Sequence, residues 1–509
     1  MLLRSLSKSE VTVLLLSRRL TPSPVIKRGL SSSSSKNDLL LELKERGLIS
    51  QISEPQDVLR SKLLSGDRLK LYCGVDPTAP SIHLGNLVPM MLMLNFYVRG
   101  HDVISVVGGA TGAVGDPSGR TTERKKMKDE VRLDNVARIS RQLNTFFQNG
   151  LAYYQRKLRG QLSDNGSKIS GTAQFGTYVQ MNNHTWWRDV KMVDFLATYG
   201  SYIRITSMLS RESVTARLEK GANGLGFNEF AYQILQAYDF YHLYSKHNTT
   251  VQIGGNDQWG NITAGIDLIN RLARSEKDTD QNDNSVASDK RCPPFGITVP
   301  LLTTSSGAKF GKSAGNAIFL DEEINTAYDI YQFFYNTSDE DIERFLKIFT
   351  LLPLNEIKAV MSEHLTAPYK HIGQRLLAKE VTELIHGPQS AVDAEVVSRI
   401  MFGEELPASY TGPKTGPALV QLLDKARVLQ TVQGSDVKNL AGLIAELLQS
   451  SRADAKRRLS QGSVYLGLEE KVRIKENLSV NGLQNYFICG TNVLLLRLGK
   501  QLCYVVQIR

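Results

Sequence analysis

Between Leu69 and Gly109, two short apolar runs flank a helix-length segment with almost no polar face, and few architectures can bury that pattern. Leu69–Val75 (LKLYCGV) reads as a strand and gives way to Asp76-Pro77-Thr78. Leu84–Val98 is strongly apolar and closes at Gly100, where a helix end is expected. Val103–Val107 (VISVV) reads as a strand of the fully buried type and runs into Gly108-Gly109. Strand, helix and strand, with glycines after each strand, predict an α/β fold built on a parallel sheet. In such sheets ligands sit beyond the carboxyl ends of the strands, so the loops after these strands are where chemistry is expected.

The rest of the chain divides by pattern. Its 509 residues suggest about three or four domains. Asn37 to about Ser65 reads helical, with Leu39, Leu40, Leu43 and Leu48 as its apolar positions. Two polar stretches without periodicity, Arg159–Gly171 and Arg274–Arg291, read as surface loops. From about Asn325 to Glu395 the periodicity is helical, Pro407–Gly416 reads as a linker, and residues 431–509 read as helices followed by short strands. No internal repeat is visible.

The formal net charge is +10, and its location matters more than its size. Residues 1–36 carry seven basic residues against Glu10 alone, with a serine run at Ser31–Ser35. Basic, serine-rich and acid-poor is the composition of an organelle transit peptide, with a disordered tail that carries no address as the alternative. Residues 431–509 hold eleven basic and six acidic residues, and the stretch between is close to neutral. Cys73, Cys292, Cys489 and Cys503 form no Cys-x-x-Cys pair, which argues against a disulfide scaffold or a cysteine zinc site. Asn492–Gly499 is too short to span a bilayer, so no membrane insertion is expected.

Five constellations could carry chemistry. His83-Leu84-Gly85-Asn86 opens the apolar helix, whose N-terminus would suit phosphate; a turn with a capping histidine is the alternative. Gly307–Ser313 (GAKFGKS) is not a phosphate loop, because Ser306 stands where the first glycine is required. What remains is Lys309 and Lys312 on a Gly-rich loop, suited to charge on a transferring phosphate or simply solvated. Gly108–Arg120, with Arg124 beyond, offers glycines for close approach, Asp116 for an ammonium group, and two arginines for pyrophosphate or for solvent. A helix over Glu229–Tyr244, capped by Asn228, would align Tyr232, Gln236 and Asp239 at i, i+4 and i+7. That polar stripe on an apolar helix fits a pocket for a small polar molecule, or an internal hydrogen-bond network. Finally, Val251–Asn261 (VQIGGNDQWGN) feeds a Gly-Gly turn into a polar cluster where Asp257 could hold ribose hydroxyls, or close an ordinary turn.

In their order along the chain, with GAKFGKS last, the five resemble the signatures of the class I aminoacyl-tRNA synthetases, in their bacterial-type tyrosine-specific branch and a mitochondrial form of it. The resemblance runs from about residue 40 to the C-terminus. Gln236–Phe240 (QAYDF) with GGNDQWGNITAG matches that branch rather than the tryptophan-specific one. It implies a Rossmann-like α/β catalytic domain over 37–324 behind a transit peptide over 1–36. An α-helical anticodon-side domain over 325–430 and a small α+β S4-like RNA-binding domain over 431–509 would follow. By the same resemblance, His83 and Asn86 belong to the first signature, which binds ATP and its transition state, and Lys309 and Lys312 to the second. Arg120 and Arg124 match mobile-loop cations that meet pyrophosphate. Tyr72 and Asp239 match the pair that bonds the tyrosine phenol. Asp116, Tyr232 and Gln236 match the ammonium site, and Gln252 and Gln258 line the same pocket. Gly74, Asp76, Gly85, Gly255 and Asp257, with His83 and Lys312, fall where ATP is held. In the C-terminal part, Ser450–Gly467 resembles the S4 module, with Arg452, Lys456, Arg457 and Arg458 toward tRNA.

Four positions depart from the usual pattern. Asn86 stands for a second histidine, Asn256 for serine, Arg120 for lysine and Gly467 for asparagine. The implied partners are L-tyrosine, ATP with accompanying Mg²⁺, mitochondrial tRNA(Tyr) in the matrix, and a second copy in a homodimer; no protein-bound metal is implied. An RNA-binding or splicing factor on a retained synthetase scaffold, or a generic nucleotidyltransferase, are the competing readings.

Overall fold

The computed structural model describes residues 38–118, 127–165, 175–211, 214–215, 218, 225–279, 292–307, 310–313, 316–410, 415–435, 438–468, 471–488, 490–499 and 502–509. The expected import segment, 1–36, lies outside them. Six strands form the first sheet: β1 (Gln51–Ile52), β2 (Lys70–Val75), β3 (Asp102–Val107), β4 (Tyr178–Asn182), β5 (Val251–Gly255) and β6 (Phe295–Val299). Their order is β1-β6-β5-β2-β3-β4, all parallel except β1, which runs antiparallel to β6. The chain moves from β2 outward through β3 and β4, then returns on the other side of β2 through β5 and β6. The order therefore reverses between β2 and β5, where a crevice forms at the carboxyl ends. Tyr72 on β2 is level with Gln252 on β5, so the two side chains share one face of the sheet.

The apolar segment after β2 forms a 3-10 turn over Leu84–Asn86 and an α-helix over Leu87–Tyr97, in which only Pro89 is not buried. A helix apolar all round needs cover on every side. It shares one core with the sheet, the helix Asp129–Asn165 and the helices over residues 327–394. The helical part runs through Ala327–Tyr335, Asp339–Phe349, Leu354–Thr366, Ile372–His386 and Pro388–Phe402. It opens on a capping box between Thr326 and Asp329. A short hairpin, β7 (Lys312–Ser313) and β8 (Asn316–Ala317), precedes it.

A second sheet ends the chain: β9 (Leu429–Val432), β10 (Val464–Leu466), β11 (Val472–Ile474), β12 (Val493–Leu498) and β13 (Leu502–Ile508), in the order β11-β10-β12-β13-β9. Both faces of β12 are covered. Leu494, Leu496 and Leu498 pack with the helices Leu440–Leu447 and Arg452–Ser460, while Val493 and Leu495 pack on Val396, Val397 and Ile400 of the helical part. Gly467 has φ +103°, in the left-handed half of the map that glycine and asparagine tolerate best, which accounts for the exchange at that position.

The structure corrects several local expectations. Residues 37–65 are not one helix: Leu39–Glu45 ends at Gly47 with φ +76°, β1 intervenes, and a second helix runs over Gln56–Ser65. The two polar stretches are not loops where they are described. The helix Asp129–Asn165 extends through the first half of one and Trp259–Thr279 into the other, since adding residues to an established helix costs little. Residues 166–174 and 280–291 lie outside the described residues. The helix carrying Tyr232 spans Phe227–His247 with Gly226 as its N-cap. Asn228 therefore sits inside the first turn, and its amide donates instead to the Val114 carbonyl at 3.3 Å.

Candidate active site

The carboxyl ends of β2, β3, β5 and β6 open into a cavity of about 680 Å³. Fourteen candidate residues line it: Tyr72, Gly74, Asp76, His83, Gly85, Asn86, Asp116, Tyr232, Gln236, Asp239, Gln252, Gly255, Asp257 and Gln258. Arg120, Arg124 and Lys309 lie outside the described residues. Lys312 is placed by its backbone, opposite Ala317 in the hairpin.

One end of the cavity is buried and built from side chains. Asp239 is 6% exposed and accepts three N–H bonds. Trp186 Nε1 and Trp187 Nε1 both donate to Oδ1 at 2.7 Å, and Asn183 Nδ2 donates to Oδ2 at 3.0 Å. Burial pushes the Asp239 carboxyl up to about 7, against the pull of these three donors. The Tyr72 hydroxyl is buried and has no hydrogen-bond partner among the described residues. Burial, then the charge of Asp239, raises its pKa well above the phenol value, so it stays protonated and able to donate. Gln252 Oε1 is likewise buried without a partner among the described residues.

Beside them runs a chain of amides and carboxylates. Gln258 Nε2 donates to Asp116 Oδ2 at 2.7 Å. Asn261 Nδ2 donates to both Gln236 Oε1 and Gln258 Oε1 at 3.1 Å. Tyr232 Oη donates to Asp76 Oδ2 at 2.8 Å, and Thr111 Oγ1 to Asp76 Oδ1 at 2.8 Å. Burial, then the Asp76 charge, raises the Tyr232 pKa well above its ordinary value. A Cβ on Gly108 would lie 2.0 Å from Asp76 Oδ1, so the glycine after β3 makes room for this carboxylate.

The other end is built largely from backbone and glycine. His83 is the N-cap of the turn that opens the apolar helix, yet its ring makes no capping bond, which removes the capping-histidine alternative. A Cβ on Gly85 would lie 2.8 Å from His83 Cε1, so Gly85 makes room for that ring. Gly311, at φ +82°, sits where a Cβ would meet Gly85 N at 2.9 Å. His83 pairs with Phe319 in an antiparallel bridge, and Leu84 N donates to the Ile318 carbonyl at 2.9 Å. The two signatures, more than 220 residues apart in sequence, are thus in backbone contact. Asp257 is exposed at this rim. Asn256 Nδ2 donates to Ser50 Oγ at 2.9 Å, which ties the substituted position to the segment before β1. Among the described residues, no group of three or more His, Cys, Asp or Glu side chains could hold a metal ion.

Sequence reading missed Asn183, Trp186, Trp187, Thr111 and Asn261. Asn182-Asn183-His184-Thr185-Trp186-Trp187 was the available signal: amides and indoles packed together after a strand. Outside the cavity, Arg452, Lys456, Arg457 and Arg458 share the helix Arg452–Ser460. Arg452, Lys456 and Arg457 are exposed, and Arg457 and Arg458 ion-pair with Asp454 at 2.5 and 2.9 Å.

Comparison with known proteins gives a consistent result. The profile of the class I tRNA synthetases (W and Y) matches residues 64–403. The chain is 52% identical over 488 residues to the mitochondrial tyrosine–tRNA ligase of Saccharomyces cerevisiae, covering 96% of this chain and 92% of the relative. It is 35% identical to the tyrosine–tRNA ligase of Lactobacillus johnsonii, over 86% of this chain and 92% of the relative. Among solved structures, a C-terminally truncated mitochondrial tyrosyl-tRNA synthetase of Aspergillus nidulans superposes with a TM-score of 0.62 at 36% identity, covering 72% of this chain and 94% of that one.

Proposed function

The chain belongs to the class I tRNA synthetases of the tryptophan and tyrosine type, and from that premise we propose how its cavity performs the reaction. The activity is that of a mitochondrial tyrosine–tRNA ligase: tyrosine is joined to ATP as tyrosyl-adenylate, then passed to tRNA. In the first step the tyrosine carboxylate attacks the α-phosphorus of ATP, and the bond to the β-phosphate oxygen breaks to release pyrophosphate. In the second, a terminal ribose hydroxyl of the tRNA displaces AMP from the aminoacyl carbonyl. The protein's task in activation is placement and neutralisation of charge rather than proton transfer.

The observation that carries the residue assignment is the pairing of a buried, protonated Tyr72 hydroxyl with the thrice-held Asp239 carboxylate. Together they would take the phenol of the substrate, Tyr72 donating and Asp239 accepting. A site built to bond a hydroxyl strongly rejects the analogue without one, as tyrosine-specific enzymes of this family themselves illustrate. Asp116, Gln236 and Tyr232 would surround the ammonium group, and Gln252 and Gln258 would complete the pocket wall. Asp76, Gly74, Gly85, Gly255 and Asp257 would receive the nucleotide. His83 and Asn86, with Lys309, Lys312, Arg120 and Arg124, would meet its phosphates. Mg²⁺ would arrive as part of the nucleotide substrate.

Charging would use the C-terminal part. Exposed Arg452 and Lys456 on a short helix suit RNA phosphate, which supports an S4-like role for this sheet-and-helix unit. The partner in a homodimer would be a second copy, with exposed Met192, Val193 and Leu196 as apolar surface available to it.

ATP–pyrophosphate exchange measured with each of the twenty amino acids tests the assignment. Exchange should require tyrosine. Exchange driven equally by tryptophan or phenylalanine, or needing no amino acid, would overturn it.

A further inference from the structure

The helix Asp129–Asn165 does more than wall the cavity. Near its start Asn135 Nδ2 donates to the Pro77 carbonyl at 3.1 Å. Seven residues on, along the same stripe, lies Gln142. Its Oε1 accepts from Ser81 Oγ and from Ile82 N, both at 2.9 Å, and its Nε2 donates to Asp321 Oδ2 at 3.2 Å. Ser81 and Ile82 immediately precede His83. Asp321 ends the strand-like segment that returns from the hairpin.

These two segments are laid side by side. Leu320 N donates to the Ile82 carbonyl at 2.8 Å, Leu84 N to Ile318 at 2.9 Å, and Asp321 N to Ser81 Oγ at 3.1 Å. Ile318 N in turn donates to Gly311 at 2.8 Å, next to Gly85. One amide thus bonds both segments from a third element. Glutamine suits the position because an uncharged amide accepts twice and donates at once. Glutamate would set two carboxylates together at Asp321, and lysine or arginine could not accept from Ser81 and Ile82.

We propose that Gln142 is a positioning residue for tyrosine activation. It fixes the register of the His83 segment against the returning segment 318–321, so that the two signatures address one nucleotide together. This rests on the assignment of the cavity to tyrosine and ATP. Gln142 touches neither the phenol end nor the ammonium end, so its loss should lower the rate and spare tyrosine binding.

The test is ATP–pyrophosphate exchange on the full chain, with kcat and the KM values for tyrosine and ATP read separately. Gln142→Ala should lower kcat by about tenfold or more while KM for tyrosine stays within about twofold, because small misplacements of reacting groups are costly in rate. Gln142→Glu should show the same loss. Gln142→Glu combined with Asp321→Asn restores a bond of reversed polarity, and should return kcat to within about threefold of the parent. If Gln142→Ala fails to fold, the Gln142→Glu and double-variant pair decides. Parent-like kcat in a folded single variant, equal losses in kcat and in tyrosine binding, or no recovery in the double variant overturns the proposal. A parent protein that does not exchange with tyrosine overturns the underlying assignment instead.

Discussion

The two ends of the cavity are built from opposite materials. At the proposed amino-acid end, the wall is made of buried or half-buried side chains held by other side chains: Asp239 by two indoles and an amide, Asp116 by Gln258, Gln236 by Asn261. At the proposed nucleotide end, the structure consists of glycines, helix-opening N–H groups and backbone bridges such as His83 to Phe319. The difference follows from what each end must read. A phenol differs from a phenyl by one hydroxyl, and only fixed, desolvated partners make that difference expensive. Triphosphate is large, charged and changes shape in the reaction, so backbone N–H groups and close-approach glycines suit it.

The comparison yields predictions that decrease in size. Asp239→Asn should be the most severe: it leaves the donors of Trp186, Trp187 and Asn183 facing an amide, and kcat/KM for tyrosine should fall about a thousandfold or more in pyrophosphate exchange. A fall of only a few-fold would mean that the phenol is read elsewhere. His83→Ala belongs to the other end, and should lower kcat about a hundredfold with KM for tyrosine nearly constant. A rise in tyrosine KM matching the fall in kcat would erase the distinction between the ends. Tyr72→Phe removes one neutral donor, so the preference for tyrosine over phenylalanine should narrow about tenfold, measured as a ratio of kcat/KM values.

The smallest effect concerns pH. Folded Asp239 keeps its proton up to about pH 7, whereas an unfolded aspartate releases it near 4. Its contribution to stability is therefore complete below about pH 4 and is lost as pH rises through 7. In the proposed site, the same ionisation would supply a charged acceptor to the phenol. Tyrosine affinity, followed by equilibrium titration, should rise a few-fold between about pH 6 and 8, and the Asp239→Asn profile should be flat over that range.

The two ends are also unequally legible in sequence. The stripe of Tyr232, Gln236 and Asp239 is a matter of helical period, so the amino-acid sequence alone displays it, and it survives the shift of the helix start to Phe227. The apolar helix after β2 and the strands on either side are visible for the same reason. What holds Asp239 is not. Asn183, Trp186 and Trp187 follow β4, whose run Tyr178–Asn182 is half polar and only partly buried, so no period marks it as a strand. The contact between the signatures is equally hidden. It depends on pairing between residues 82–84 and 318–320, and nothing local in either segment encodes a partner so distant. The polar stretches beyond Arg159 and Arg274 mislead for the converse reason: composition favours loop, while the preceding amphipathic turns carry the helix onward.

The central claim is that the buried end sets which amino acid is used and the glycine-built end sets how fast it reacts. The most direct test combines Tyr72→Phe with His83→Ala and reads kcat/KM for tyrosine in pyrophosphate exchange. If the ends act independently, the double variant should lose the product of the two single losses, within about twofold. A double variant no worse than His83→Ala alone would contradict the claim, because the two residues would then be acting as a single unit.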